Sequence, residues 1–141
     1  MCSVGCLALF GTGLKSSSMK IYVCGNPLVD ADSLPLRLLP RLRKMFAADF
    51  FEFDPSEDLP KEPTLIFIDT VINAKDVLLL DDVDRFVETK ALSLHDFDLG
   101  LNLKLAKKMG WLKKAYIIGI PPNISENSAL EKIGKIIASL S

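Results

Sequence analysis

Residues 64–68 (TLIFI) decide the fold, because they form an uncharged, strand-forming run that ends directly at Asp69. A continuous run of this kind is typical of a central parallel strand covered on both faces. Residues 20–24 (KIYVC) and 115–120 (AYIIGI) predict two further buried strands. Residues 49–53 (DFFEF) alternate between apolar and charged side chains, and this pattern predicts a strand nearer the edge of the sheet.

Apolar residues at helical spacing predict a first helix that begins at Asp32 or Ser33 and reaches Met45. Pro35 fits the first turn of this helix, where no intrahelical amide bond is lost. Pro40 is expected to kink or split it.

Two more helices are predicted over residues 98–109, ending at Gly110, and over residues 128–140. Residues 77–80 and 83–87 predict a hairpin or one irregular strand. The apolar face of the middle helix is assigned to Leu101, Leu105 and Met109.

The element order β-α-β-β-(ββ)-α-β-α predicts an α/β fold, a three-layer sandwich with a mostly parallel central sheet. Residues 19–141 are expected to form this one domain. Residues 1–18 are rich in glycine, serine and small side chains, and we expect them to form a disordered extension. Cys2 and Cys6 in this segment are interpreted as incidental thiols rather than metal ligands or a disulfide.

Charge and cysteine content narrow the class of partner. The net charge of −1 gives no reason to expect nucleic acid or an anionic membrane as a partner. No apolar run reaches the about 18 residues of a membrane span. Three cysteines, one of them inside the first predicted strand, favour a reducing, cytoplasmic setting.

Asp32, Asp69 and His95 each follow a predicted strand or precede a predicted helix. Ligands of open α/β sheets bind beyond the carboxyl ends of the strands, so these three side chains are expected to converge. One imidazole and two carboxylates suit a borderline divalent ion and leave coordination positions open. Singly, each residue has an ordinary alternative: Asp32 as a helix cap, Asp69 as a partner of backbone amides, and His95 as an incidental histidine.

Four motifs in order carry a resemblance to a known family: residues 20–28 (KIYVCGNPL) with an acid six residues after Asn26, residues 68–70 (IDT), residues 93–95 (SLH) and residues 117–121 (IIGIP). Together they resemble the maturation endopeptidases of nickel–iron hydrogenases, over nearly all of residues 19–141. This resemblance implies that the three-layer sandwich is phosphorylase/hydrolase-like.

The resemblance implies an aspartic-type or metal-dependent endopeptidase that removes the C-terminal extension of a hydrogenase large-subunit precursor after nickel insertion. It implies that Asp32, Asp69 and His95 bind the nickel, which the substrate supplies and the peptidase does not retain. Asp32 or Asp30 is expected to act as general base on the attacking water.

The chain departs from the family pattern where two adjacent acids are usually followed by glycine. Here Ala31 separates Asp30 from Asp32, and Ser33 and Pro35 stand where glycines are common, which indicates a divergent branch. The main alternative is a non-catalytic hydrogenase-assembly or metal-binding chaperone of the same fold. A nucleotide-binding module is disfavoured, because the chain lacks G-x-G-x-x-G and the Walker lysine.

Overall fold

The computed structural model describes residues 19–25, 28, 33–54, 56–71, 74–81 and 94–140, and in 94–98 it describes the backbone alone. The expectation for residues 1–18 and the strand predicted over 83–87 therefore lie outside the described residues. The elements are β1 (Lys20–Val23), α1 (Leu34–Met45), β2 (Asp49–Glu52), β3 (Thr64–Thr70), β4 (Leu78–Leu80), α2 (Leu94–Met109), β5 (Lys114–Ile120) and α3 (Glu126–Leu140).

The described strands form one sheet in the order β2-β1-β3-β5-β4. Neighbouring strands from β2 to β5 run parallel, and only β4 pairs antiparallel with its neighbour. This confirms the predicted mostly parallel α/β sheet, with residues 64–68 in its central strand and the alternating DFFE segment at an edge.

Helices cover the two faces of the sheet and make three layers. α1 and α3 pack on one face, where side chains such as Leu38 and Ile133 meet Ile66 and Ile68 of β3. α2 packs on the other face through Leu99, Leu103 and Ala106, against a cluster that includes Leu65 and Phe67. Successive side chains of a strand point to opposite faces, so β3 contributes to both cores. Full burial of each large apolar side chain stabilises the fold by about 1.5–3 kcal/mol.

α1 continues through Pro40 and is therefore not split there, whereas the alternative expectation, a kink at Pro40, stays a prediction. Pro40 lies on the exposed side of α1, and solvent can reach that side of the helix. Ser33 occupies the cap position without a side-chain bond to the first turn, and Pro35 lies in that turn as expected.

α2 corrects two predictions. It begins at Leu94 rather than near residue 98, and its apolar face is not the predicted one, because Leu101, Leu105 and Met109 are exposed. Leucines occur around this helix, so spacing alone did not single out the buried stripe. The side that packs on the sheet is the one that carries Leu99, Leu103 and Ala106. Gly110 ends the helix as predicted, at φ 91°.

α3 begins two residues earlier than predicted, at Glu126. The Ser125 side chain accepts a hydrogen bond from the Ser128 amide at 3.2 Å, as an N-cap does. None of the helices in the described part of the chain is both long and apolar enough to cross a bilayer.

A tyrosine on the α2 face gives a test of this packing. Tyr22 is 8% exposed, lies among Phe51, Phe53 and Phe67, and donates a 2.8 Å hydrogen bond to Glu62. Burial, together with the bond to the Glu62 carboxylate, raises the pKa of Tyr22 from the usual 10.0 to about 12.

We therefore expect one tyrosine to ionise near pH 12 in an ultraviolet titration of the folded protein. Folding raises the pKa of Tyr22, so the neutral phenol stabilises the folded protein. This contribution to the unfolding free energy is complete below pH 10.0 and is lost as the pH rises towards about 12. Tyr22→Phe should remove the late ionisation and lower the unfolding free energy by about 1 kcal/mol. Tyr116→Phe is the control and should retain the late ionisation, and its loss there would contradict the assignment.

Candidate functional site at the carboxyl end of the central strand

The sheet has a topological switch point between β1 and β3. The chain leaves β1 through α1 to β2 on one side, whereas it leaves β3 towards β5 on the other. Ligands of open α/β sheets bind at such points, beyond the carboxyl ends of the strands. β3 also continues past its last register pair with β1, Val23–Ile68, while it stays paired with β5 as far as Thr70–Ile120. Asp69 and Thr70 are the two residues in this overhang.

Asp69 is fully buried at this point, with 0% exposure. Its Oδ1 atom accepts a hydrogen bond from the Thr70 amide at 2.8 Å. The carboxylate therefore does bond a backbone amide, as one reading of the sequence expected, and this bond fixes its orientation. A buried, oriented carboxylate at a switch point is suited to a cationic ligand, because charge interactions strengthen where water is excluded.

Gly119 gives the segment after Asp69 its space. It pairs with Asp69 in the register of β3 and β5. A Cβ atom at Gly119 would lie 2.5 Å from Cγ2 of Val71, which is itself fully buried and donates a 2.9 Å hydrogen bond from its amide to the Ile120 carbonyl. In the sequence Gly119 belongs to the motif of residues 117–121, and the motif alone does not explain why a glycine is needed there. A lone glycine in an apolar strand is the signal that could have indicated this close approach.

The backbone of His95 is the second residue of α2, one turn before the buried Leu99, and not in the loop before the helix as predicted. The end of α2 is tied to the amino edge of the sheet, because Lys113, just after it, bonds the Pro63 carbonyl before β3. α2 is about 24 Å long and β3 about 23 Å, so α2 is long enough to span the sheet from this edge to the carboxyl edge, where Asp69 lies.

The structure does not describe the side chains of the other predicted site residues. Asp30 and Asp32 lie outside the described residues, as does the side chain of His95. Within the described part of the chain, no group of three His, Cys, Asp or Glu side chains could hold a metal ion. The set of Asp32, Asp69 and His95 therefore stays a prediction, of which the structure positions Asp69 and the backbone of His95. Cys24 is buried, in agreement with its expected place in the core.

Solved structures with this fold include several endopeptidases. The hydrogenase maturating endopeptidase HybD from E. coli superposes with a TM-score of 0.64 at 16% identity, covering 87% of this chain and 94% of that one. An endopeptidase from Escherichia coli superposes with a TM-score of 0.56 at 20% identity, covering 82% of this chain and 90% of that one. The endopeptidase HycI from Escherichia coli gives 0.58 at 15% identity, over 83% and 87%. The predicted fold is thus confirmed, and it is the fold of the family that the motifs resemble.

Comparisons with protein-family models and with curated protein sequences give no match.

Proposed function

We propose that this protein is an endopeptidase that removes the C-terminal extension of a nickel–iron hydrogenase large-subunit precursor after nickel has been inserted. One observation carries the proposal: a fully buried aspartate, Asp69, at the switch point of a fold shared with solved hydrogenase maturation endopeptidases. The ordered sequence motifs support it independently, because they place an acid after the GN turn and a histidine at the start of α2.

Substrate recognition in this proposal depends on the nickel that the precursor already carries. Asp69, Asp32 and His95 would contact this ion, so that only a nickel-loaded precursor is held with its scissile peptide beside the crevice. Holding the peptide there supplies much of the rate, because the scissile bond is already oriented towards the reacting groups and does not have to meet them by diffusion. The nickel is part of the substrate and leaves with the product.

Asp32 or Asp30 would accept a proton from the water that attacks the scissile carbonyl, as a general base does. This makes the peptidase aspartic-type in its base and metal-dependent in its recognition of the substrate. The proposal places the reaction in the cytoplasm, in keeping with a chain whose three cysteines cannot all pair with one another.

A non-catalytic assembly chaperone of the same fold is the second candidate. The observation that favours it is Ala31, which separates the two acids that are adjacent in the family pattern. Such a chaperone would use the same crevice to bind the nickel-loaded precursor and would leave its extension uncut.

The test is to mix the purified protein with nickel-loaded precursor and follow the precursor by mass spectrometry. We expect the mass to fall by that of one C-terminal peptide, with release of that peptide. Nickel-free precursor is the matched control and should stay intact. A precursor that forms a stable complex and keeps its extension would contradict the peptidase and favour the chaperone. A precursor that is neither cut nor bound would contradict both.

A further inference from the structure

Thr70, next to Asp69, carries a polar group that the proposed mechanism does not use. The residue is 1% exposed, and its Oγ1 atom has no hydrogen-bond partner among the described residues. A buried hydroxyl without a partner is unfavourable, because folding removes its water without replacing the hydrogen bond. Buried side-chain hydroxyls in folded proteins are mostly bonded, so this one calls for a physical reason.

The place of Thr70 in the fold suggests that reason. Thr70 is the last residue of β3, in the overhang beyond the last register pair with β1. By strand alternation its side chain leaves β3 towards the α1 and α3 layer, whereas that of Asp69 leaves towards α2. The two residues therefore lie on opposite faces at the end of the central strand, beside the crevice in which the proposed function places the substrate.

We propose that the Thr70 hydroxyl binds the backbone of the substrate, through a hydrogen bond to an amide or carbonyl group of the extended segment that carries the scissile bond. This proposal rests on the proposed function. The hydroxyl is shielded from bulk solvent in the free protein, so a peptide group that reaches it gains a hydrogen bond without exposing Thr70 to the cost of desolvation. The unfavourable burial in the free protein is thus recovered when substrate binds.

Thr70→Val tests this, because valine has nearly the same shape and lacks the hydroxyl. In the free protein we expect the melting temperature to rise by about 2–4 °C, since an unpartnered polar atom is removed from the interior. With nickel-loaded precursor we expect the KM for processing and the dissociation constant to rise roughly three- to ten-fold, with little change in kcat. A residue that served packing alone would not give this combination of a more stable protein and weaker substrate binding.

Two further variants complete the test. Thr70→Ser keeps the hydroxyl and should retain substrate affinity, although loss of the methyl group lowers the melting temperature. Thr64→Val is the matched control, because Thr64 is the exposed residue at the other end of the same strand, and its KM should equal that of the wild type.

Three results would overturn the inference. If Thr70→Val bound and processed precursor as the wild type does, the hydroxyl would have no role in binding, and the proposed function would stand. If Thr70→Val melted at a lower temperature than the wild type, the hydroxyl would already have a partner, such as a water molecule, in the free protein. If the wild type neither bound nor cut the precursor, this inference and the proposed function would fall together.

Discussion

Asp69→Asn is expected to lower the rate of processing of nickel-loaded precursor by about 100-fold or more, while the protein stays folded. Asparagine keeps the shape and the Oδ1 acceptor that bonds the Thr70 amide at 2.8 Å, so the orientation of the segment is preserved. It removes the negative charge that would face the metal of the substrate. Mass spectrometry of the precursor gives the rate, and circular dichroism reports the fold.

Asp49→Asn is the matched control for this loss. Asp49 is an exposed aspartate at the amino end of β2, at the opposite edge of the same sheet, and its replacement should leave the rate unchanged. Wild-type processing by Asp69→Asn would remove Asp69 from the site and with it the observation on which the proposed function depends. Asp30→Asn and Asp32→Asn separate the two candidate bases when binding of the precursor is measured beside its cleavage. Loss of the base should leave bound precursor uncut, whereas loss of a nickel ligand alone should weaken binding of the precursor.

Gly119→Ala is expected to destabilise the protein by about 3 kcal/mol. The added Cβ would lie 2.5 Å from Val71 Cγ2 and 3.4 Å from Val71 Cβ, both in the interior. β5 is paired on both sides, with β3 and with β4, so the strand cannot move away cheaply. The β-branched Val71 has few rotamers with which to avoid the methyl group. Chemical denaturation measures the loss.

Two companion variants identify the cause of that loss. Val71→Ala removes the atom that would overlap, so the double variant should be more stable than the sum of the single effects by about 1–2 kcal/mol. Gly134→Ala is the control: its Cβ would lie 3.0 Å from the Phe46 ring, and alanine favours the helix by about 1 kcal/mol, so the net change should be small. Additive effects of Gly119→Ala and Val71→Ala would show that overlap is not the cause.

The central strand shows why much of this fold could be predicted. Residues 64–68 are apolar at every position after the first, and a short run of this kind with isoleucine and phenylalanine is typical of a strand buried on both faces. Gly110 is similarly informative, because glycine is common just after the end of a helix and adopts a φ of 91° without strain. These signals depend on neighbouring residues in the chain, so they can be read without knowledge of the tertiary contacts.

The errors concern α2. Leu101, Leu105 and Met109 recur at helical spacing, yet so do Leu99, Leu103 and Ala106, and only the second set is buried. The start of the helix was also misplaced, because the polar residues around His95 read as a loop. In both cases the local pattern was ambiguous, and packing against the sheet chose between the alternatives.

The sequence by itself determined the strands and helices of this protein, and it singled out Asp69 as an acid at the end of a buried strand. Only the tertiary structure decided that Asp69 and Thr70 extend beyond the last register pair with β1 at a switch point, and that Gly119 makes room for Val71. It also decided that the Thr70 hydroxyl is buried there without a hydrogen-bond partner among the described residues. The physical reason is that these features arise between strands far apart in the chain. Hydrophobic periodicity reports the burial of each segment, but register, overlap and hydrogen-bond satisfaction exist only once the segments are paired.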